Sequence, residues 1–340
     1  MSVKKLIGEA STGAAAAVFA NLLVFPLDVV ASRLQIQSKA LASLQSHSKP
    51  YSSQLDALVR ITREEGLLQG LYAGLVPSLS QTAASAFLYF YFHSLVRGVY
   101  LKLLKRIYVN QPRMLLPSTS AELALGAVAG ALSRVITNPI SVVTTRLQTS
   151  NTTPNTPSKP TSASIINEIL QTDGIAGLWR GFPASLVLTV NPALTYGLFE
   201  RVKSLVVARR MKRAVGKGVD VKSVSGMLSS GDAFLVGALT KALATVVTYP
   251  YIMAKVRMQW RPPVSSDASK DALGEGNKKG LEDAIRYKSA TDVLSKVWQT
   301  EGLLGWYVGL NAQLLKAVLC QGILFMTKDY FTAIASLLLK

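Results

Sequence analysis

The sequence of 340 residues is poor in the side chains that build metal centres and disulfide bonds. It has one cysteine, Cys320, and two histidines, His47 and His93. A disulfide needs a second cysteine and a structural zinc site needs several Cys or His ligands, so we expect neither a disulfide nor a metal. The sequence also has no Walker loop, HExxH pair or GxSxG motif, so we expect no enzymatic activity and no bound cofactor.

Charged residues, and acidic ones above all, are scarce. Only 16% of the residues are charged, against about 25% in soluble domains, while 49% are hydrophobic. This composition favours a membrane protein. The 37 basic residues outnumber the 19 acidic ones and leave a net charge of +18, so the partner is expected to be an anion: a phospholipid, a nucleic acid or a charged metabolite.

A basic stretch over residues 209–222 is a candidate for binding a macromolecule. Aromatic side chains do not alternate with its charges, as they do where proteins bind single-stranded nucleic acid. We therefore expect this stretch to lie near anionic lipid headgroups, and we expect no nucleic-acid partner.

Long stretches of low charge occur six times along the chain. Each approaches or exceeds the roughly 20 apolar residues that cross a bilayer, and they cover residues 6–31, 71–101, 121–145, 182–207, 230–259 and 309–339. Several charged side chains lie inside these stretches or at their ends, among them Arg134, Glu200, Lys241, Lys255 and Lys316. Because a charge within the bilayer is costly, we expect these side chains to face an interior cavity.

Two motifs recur three times in the same order. The first reads PLDVVASRLQ at residues 26–35, PISVVTTRLQ at 139–148 and PYIMAKVRMQ at 250–259. The second has two parts. An acid and a glycine come first, and a few residues later an aromatic residue, any residue and a glycine follow. It first occurs at residues 65–74. Such a repeat indicates copies of one structural unit, here a unit with two spans. We assign the copies to residues 1–110, 115–210 and 225–340.

The two motifs together resemble those of the mitochondrial carrier family, over essentially the whole chain. The resemblance implies an all-α membrane protein in which six transmembrane helices, arranged as three pseudo-symmetric two-helix repeats, surround a central cavity. Shorter stretches are similar to the fungal peroxisomal adenine nucleotide carriers within this family, and they include residues 117–119, 141–146, 191–196 and 318–322. This similarity implies an antiporter of the peroxisomal membrane that exchanges cytosolic ATP for AMP or ADP and so supplies ATP for fatty-acid activation and β-oxidation.

Three prolines, Pro26, Pro139 and Pro250, are expected to kink the odd-numbered spans and to bring their ends together at one gate. In the family, an acid two residues after each proline pairs with a base of the next repeat. Here Asp28 is the only such acid and Lys255 is the only such base. The resemblance therefore predicts that no charged pair holds this gate.

The predicted pairing places Asp28 opposite Thr144 and Ser141 opposite Lys255. A gate without ion pairs is expected to be weak and to be held by hydrogen bonds at most. We expect three glutamines to brace it: Gln35, Gln148 and Gln259.

A second gate is implied near the ends of the even-numbered spans, where the family has an aromatic residue, an acid and a base. Only the second repeat has all three, as Phe199, Glu200 and Lys203. The first repeat has His93 at the position of the acid. Both a neutral interfacial histidine and a pH-sensitive gate residue fit this position, and we favour the neutral one.

Bases that occur in one repeat only are candidates for the substrate site, because an asymmetric substrate needs contacts that break the threefold symmetry. Arg134, Lys241 and Lys316 meet this condition, since their counterparts are uncharged, and three bases around a cavity suit phosphate oxygens. Contacts with adenine are expected on the fourth span, at Val187, Leu188 and Asn191. Ordinary helix packing is the alternative for the first two of these.

Several alternatives stay open. The substrate of a carrier with this pattern could be NAD or coenzyme A, which also present adenine and phosphates. An alternative function outside transport is that of a membrane scaffold. Such a scaffold would have lost transport and would contact peroxisome import factors through residues 209–222. The mitochondrial inner membrane is the alternative location. Otherwise the expected partners are adenine nucleotides and membrane phospholipids, and the expected functional unit is a monomer.

Overall fold

The computed structural model describes residues 3–37, 50–107, 117–150, 160–216, 230–260, 287–320 and 323. Every regular element in these ranges is a helix, which confirms the all-α class. In chain order the helices are α1 (Val3–Ile36), α2 (Gln54–Glu65), α3 (Leu75–Ile107), α4 (Thr119–Thr149), α5 (Ser162–Thr172), α6 (Phe182–Val187), α7 (Asn191–Gly216), α8 (Ser230–Gln259), α9 (Ala290–Glu301) and α10 (residues 310–320), with a short helical turn at Leu67–Gly70 and 3₁₀ segments at Ile175–Trp179, Leu188–Val190 and Leu303–Tyr307.

Five stretches of the described residues are long and apolar enough to cross a membrane, and they correspond to all the expected spans except the second: Val18–Ile36, Thr119–Thr149, Ile175–Arg209, Phe234–Gln259 and Leu303–Cys320. The expected second span is α3, which has 33 residues. Ser, Gln, Thr and Tyr are mixed with its apolar residues, so its hydropathy is lower. Because α3 packs against α1 and α4, it takes the place of the second span in the bundle.

The three helices that contain the expected prolines converge at one end. Pro26 lies inside α1, Pro139 inside α4 and Pro250 inside α8. α1 contacts α4 and α8, and α4 contacts α8. The buried side chains of α4 run without a break from Ser141 to Thr149, which places the tightest packing beyond the proline. The C-terminal ends of these three helices therefore close one end of the bundle.

A short amphipathic helix packs beside the end of each proline-containing helix. Each begins at a hydroxyl residue whose side chain accepts a hydrogen bond from a backbone N–H of the first turn, which caps the helix; these residues are Ser53, Thr161 and Ser289. The buried faces of these helices complete three equivalent apolar cores, and they consist of Ala57 and Ile61 in α2, Ile165 and Ile169 in α5, and Val293 and Val297 in α9. The three repeats are thus built alike at the closed end.

Glycines at the aromatic-x-Gly motif let each repeat approach the next one closely. Gly74, Gly181 and Gly309 all have positive φ, at +77°, +73° and +82°. A side chain on Gly181 would place its Cβ 3.1 Å from the backbone oxygen of Lys255 and 3.1 Å from Cγ of Gln259. These positions therefore require glycine for both backbone conformation and space.

Gly181→Ala is expected to lower the stability of the closed form by about 1–3 kcal/mol, because a Cβ is strained at positive φ and meets α8. The melting temperature of the purified protein in detergent measures the effect. Gly98→Ala is the matched control, since Gly98 lies inside α3 with nothing within 4 Å of the added Cβ. The control is expected to be neutral or stabilising, and equal melting temperatures for the two variants would contradict the assignment.

Candidate functional site

Each repeat contains a buried arginine paired with the acid of its own acid-glycine motif. In the first repeat, Arg33 makes a two-pronged contact with Glu65, whose second hydrogen bond measures 2.8 Å, and both side chains are almost fully buried. In the second repeat, Arg146 Nη2 lies 3.1 Å from Asp173 Oδ2. The third repeat has the equivalent pair between Arg257 and Glu301, at 3.3 Å. These pairs fasten the connecting segments to the proline-containing helices.

The same arginines also join neighbouring repeats. Arg33 Nε donates to the backbone oxygen of Gln148 at 3.0 Å, and Arg146 Nε donates to that of Gln259 at 3.3 Å. Arg257 Nε closes the circle by donating to the backbone oxygen of Gln35 at 2.9 Å. We call these three arginine-to-carbonyl hydrogen bonds the gate ring. Every residue has a backbone carbonyl, so the residue types do not reveal which carbonyls accept these hydrogen bonds. The sequence pattern therefore did not predict the gate ring.

The three glutamine side chains lie at the same junctions. Gln148 accepts a hydrogen bond from Ser32 at 3.0 Å, and Gln259 accepts one from Thr145 at 2.9 Å. Gln35 donates to the hydroxyl of Tyr249 at 3.3 Å. All three therefore make contacts between repeats through a hydroxyl of a proline-containing helix, although Tyr249 precedes its proline whereas Ser32 and Thr145 follow theirs.

Asp28 has a different partner from the one expected. Its carboxylate forms an ion pair with Lys316 of α10 and accepts a 3.0 Å hydrogen bond from Gln148 Nε2. Thr144, its expected neighbour, donates its hydroxyl within α4 to the backbone oxygen of Ile140. The expectation that hydrogen bonds alone hold the closed end is therefore wrong, because one ion pair ties α1 to α10 and the arginine–acid pairs lie beside it.

Lys255 lies close to other charged groups but is not paired with them. Among the described residues, neither a hydrogen bond nor an ion pair to its ammonium is found. The charges that act on it are those of Arg134, Lys316 and Asp28. Ser141, its expected neighbour, is instead hydrogen-bonded to Gln259 at 3.3 Å.

The bases that occur in one repeat only gather in the same region. Arg134 is half-buried and, within the described part of the chain, makes neither a hydrogen bond nor an ion pair. Its charge reaches Lys255, so it faces the interior. Lys241 donates to Asn191 Oδ1 at 3.2 Å, and both Lys241 and Lys316 act on Cys320. Four cations thus share one region with a single carboxylate in the described residues, Asp28.

Among the described residues, Lys316 is the one substrate candidate that has a carboxylate partner. The side chains of Lys316 and Asp28 are 23% and 17% exposed, so the pair is partly accessible. A phosphate can reach this ammonium only by sharing it with Asp28 or by displacing Asp28. Arg134 needs no such exchange.

The three expected adenine contacts lie at a break in the fourth span. The 3₁₀ segment Leu188–Val190 separates α6 from α7. Val187 is 43% exposed at this break, and Leu188 is half-buried. Asn191 Nδ2 donates to Thr248 Oγ1 at 2.7 Å, while its oxygen accepts from Lys241. The break therefore joins an apolar edge to an amide and a base.

In the described residues, Glu200 and Lys203, the acid and base of the expected second gate, make no contact between repeats. Glu200 and Lys203 pair with each other along α7 at 3.6 Å, and both are exposed. His93 Nε2 lies 3.7 Å from Glu122, which also accepts a 2.8 Å hydrogen bond from Arg97. This link between α3 and α4 was missed in the sequence, and the third-repeat counterpart at residues 328–332 lies outside the described residues, as do residues 217–222 of the basic stretch.

Comparisons with known proteins agree with the threefold architecture. A model of the mitochondrial carrier protein family matches residues 2–103, 117–210 and 226–336. "Peroxisomal adenine nucleotide transporter 1" of Eremothecium gossypii is 34% identical over 95% of this chain and 92% of its own length. The protein of the same name in Saccharomyces cerevisiae is 30% identical over 95% of this chain and 90% of its own length. The "Peroxisomal nicotinamide adenine dinucleotide carrier" of Arabidopsis thaliana is 29% identical over 96% of both chains.

Proposed function

The chain belongs to the mitochondrial carrier family, and from this premise we propose that it is a multi-pass antiporter of the peroxisomal membrane that exchanges cytosolic ATP for AMP or ADP. The observation that carries the proposal is the group of four cations, Arg134, Lys241, Lys255 and Lys316, around one interior region with one carboxylate among the described residues. Phosphate oxygens match such a group because each ammonium or guanidinium donates charge-assisted hydrogen bonds to them. The names of the relatives in Eremothecium and Saccharomyces support adenine nucleotides and the peroxisome.

Exchange, rather than one-way transport, follows from the same charges. The gate ring closes one end of the cavity, and at the other end Glu200 and Lys203 pair within their own helix instead of across the bundle. A nucleotide that enters neutralises the cations and allows the helices to rearrange. An empty cavity retains unpaired cations at membrane depth, where each is costly, so the empty carrier returns slowly and a second nucleotide is needed.

One chain supplies all three repeats of the gate ring, so a monomer is the proposed functional unit. The cavity needs no second copy to be complete. Phospholipids are the surrounding partners, and contact with import factors through residues 209–222 remains a separate proposal that does not bear on transport.

Labelled-ATP uptake into proteoliposomes tests the function. We expect uptake when AMP or ADP is inside, and little uptake when the vesicles contain no nucleotide. Failure of internal AMP and ADP to drive ATP uptake, alongside strong uptake of another solute, would contradict the proposal.

NAD is the second candidate substrate, because the Arabidopsis relative carries that name. Unlabelled NAD and coenzyme A added outside the vesicles separate the candidates. If NAD or coenzyme A inhibits labelled-ATP uptake at concentrations below that of ATP, transport of that solute is favoured. Inactivity towards all of these solutes would favour a transport-inactive scaffold.

A further inference from the structure

Lys255 occupies the position of a gate base, yet nothing in the described part of the chain completes a gate pair with it. Ser141, which would face it, is hydrogen-bonded to Gln259 at 3.3 Å. Asp28 is held by Lys316 and by Gln148. The two polar groups best placed to pair with Lys255 are thus already engaged.

The surroundings of Lys255 are also positive. The charged groups that act on it are two cations, Arg134 and Lys316, and one carboxylate, Asp28. Asp28 also contacts Lys316, so one carboxylate is shared by two ammonium groups. A third cation placed beside such a pair is costly in a membrane interior, and an incoming anion lowers that cost.

Three cations lie at successive depths along the axis towards the closed end. Arg134 lies five residues before its proline. The ammonium of Lys316 lies at the level of Asp28, which is two residues after its proline, and Lys255 is five residues after its own. Since the repeats are built alike, ten helical residues, or about 15 Å of rise, separate the backbones of Arg134 and Lys255. The long side chains span part of this distance, since the charge of Arg134 acts on Lys255.

We propose that Lys255 is a phosphate-contact residue at the closed end of the cavity and that it favours nucleotides with longer phosphate chains. This inference rests on the proposed function. A phosphate chain that lies along the axis meets Arg134 first, then Lys316, and reaches Lys255 only if it extends far enough. A triphosphate makes the contact and a monophosphate does not, so Lys255 is a specificity-determining residue for ATP over AMP.

Uptake of ATP, ADP and AMP by Lys255→Gln proteoliposomes tests the inference. We expect the KM for ATP to rise about tenfold or more, as for the loss of one hydrogen bond to a charged group, and the KM for AMP to stay within about twofold. Lys255→Arg is expected to restore most of the ATP preference. Lys296→Gln is the matched control, since Lys296 lies on α9 and pairs locally with Asp292 at 3.4 Å.

Thermal stabilisation by added nucleotide gives a second readout that needs no transport. ATP is expected to raise the melting temperature of the wild-type protein in detergent more than AMP does. In Lys255→Gln the two nucleotides are expected to raise the melting temperature equally. If Lys255→Gln is not recovered in folded form, Lys255→Met, which keeps an unbranched chain without the ammonium, is measured in the same way.

Two results would overturn the inference: KM values for ATP and AMP that both stay at the wild-type level in the variants, or KM values that rise by the same factor for both nucleotides, as a purely structural lysine would give. Either result leaves wild-type exchange intact, so it does not touch the proposed function. Wild-type protein that neither exchanges nor responds to adenine nucleotides would instead overturn both.

Discussion

Arg134→Ala and Lys316→Ala are each expected to reduce adenine nucleotide exchange about 100-fold, with the folded protein retained. A hydrogen bond to a charged group contributes about 1.5–3 kcal/mol, and the upper part of this range corresponds to about two decades in rate. Removal of Arg134 leaves no carboxylate without its ion-pair partner, because the described residues include no acid paired with it. Removal of Lys316 leaves Asp28 with its hydrogen bond from Gln148.

Initial rates of ATP uptake against internal AMP measure the effect, and size-exclusion profiles and melting temperatures confirm that each variant is folded. Lys102→Ala serves as the control, because Lys102 is an exposed base near the end of α3, and it is expected to keep the wild-type rate. Lys316→Ala combined with Asp28→Asn removes the whole ion pair and tests whether an unpaired carboxylate adds to the loss. Wild-type rates in Arg134→Ala and Lys316→Ala would show that these bases do not bind substrate.

Arg33→Ala is expected to lower the free energy of unfolding by about 3–5 kcal/mol, because it leaves Glu65 as a buried carboxylate without its charge partner. The side chains of Arg33 and Glu65 are only 1% and 6% exposed. The same variant removes the hydrogen bonds of Arg33 to the backbone oxygens of Gln148 and Ser150. Unfolding in detergent, followed by circular dichroism, measures the loss.

A double-mutant cycle separates the ion pair from the rest of the arginine's contacts. Arg33→Ala combined with Glu65→Ala is expected to be less destabilised than the sum of the two single variants, because no buried charge is left alone. Glu64→Ala is the comparison at a more exposed pair, because Glu64 is 55% exposed and lies 3.4 Å from Arg60, and its effect is expected to stay within about 1 kcal/mol. A loss below about 1 kcal/mol for Arg33→Ala would contradict the role given to the buried pair.

The fold could be predicted because its determinants repeat in the sequence. The prolines at 26, 139 and 250 recur with the same flanking residues, and each was found inside a long helix. α3 was the weakest signal for a span, since its polar residues dilute the apolar ones. Its place is set by packing against α1 and α4, which hydropathy does not report.

The site could be predicted only in part. Bases found in one repeat only were a useful guide, because charge asymmetry is visible when the repeats are aligned. The charges of both Arg134 and Lys316 act on Lys255. The partner of Asp28 could not be predicted, since Lys316 is 288 residues away in the chain and breaks the pairing rule of the family. Nothing in a sequence marks which backbone carbonyl accepts a hydrogen bond from Arg33, Arg146 or Arg257.

The gate ring also bears on the leakage of protons through the carrier. Each of its arginines holds the chain of the following repeat, so parting one pair of helices strains the other two junctions, and opening is concerted rather than stepwise. We therefore expect no half-open pore with a continuous thread of water, and no proton leak beside a crossing nucleotide. Since the acceptors at all three junctions are peptide carbonyls, replacing the glutamine side chains is expected to leave these three hydrogen bonds in place.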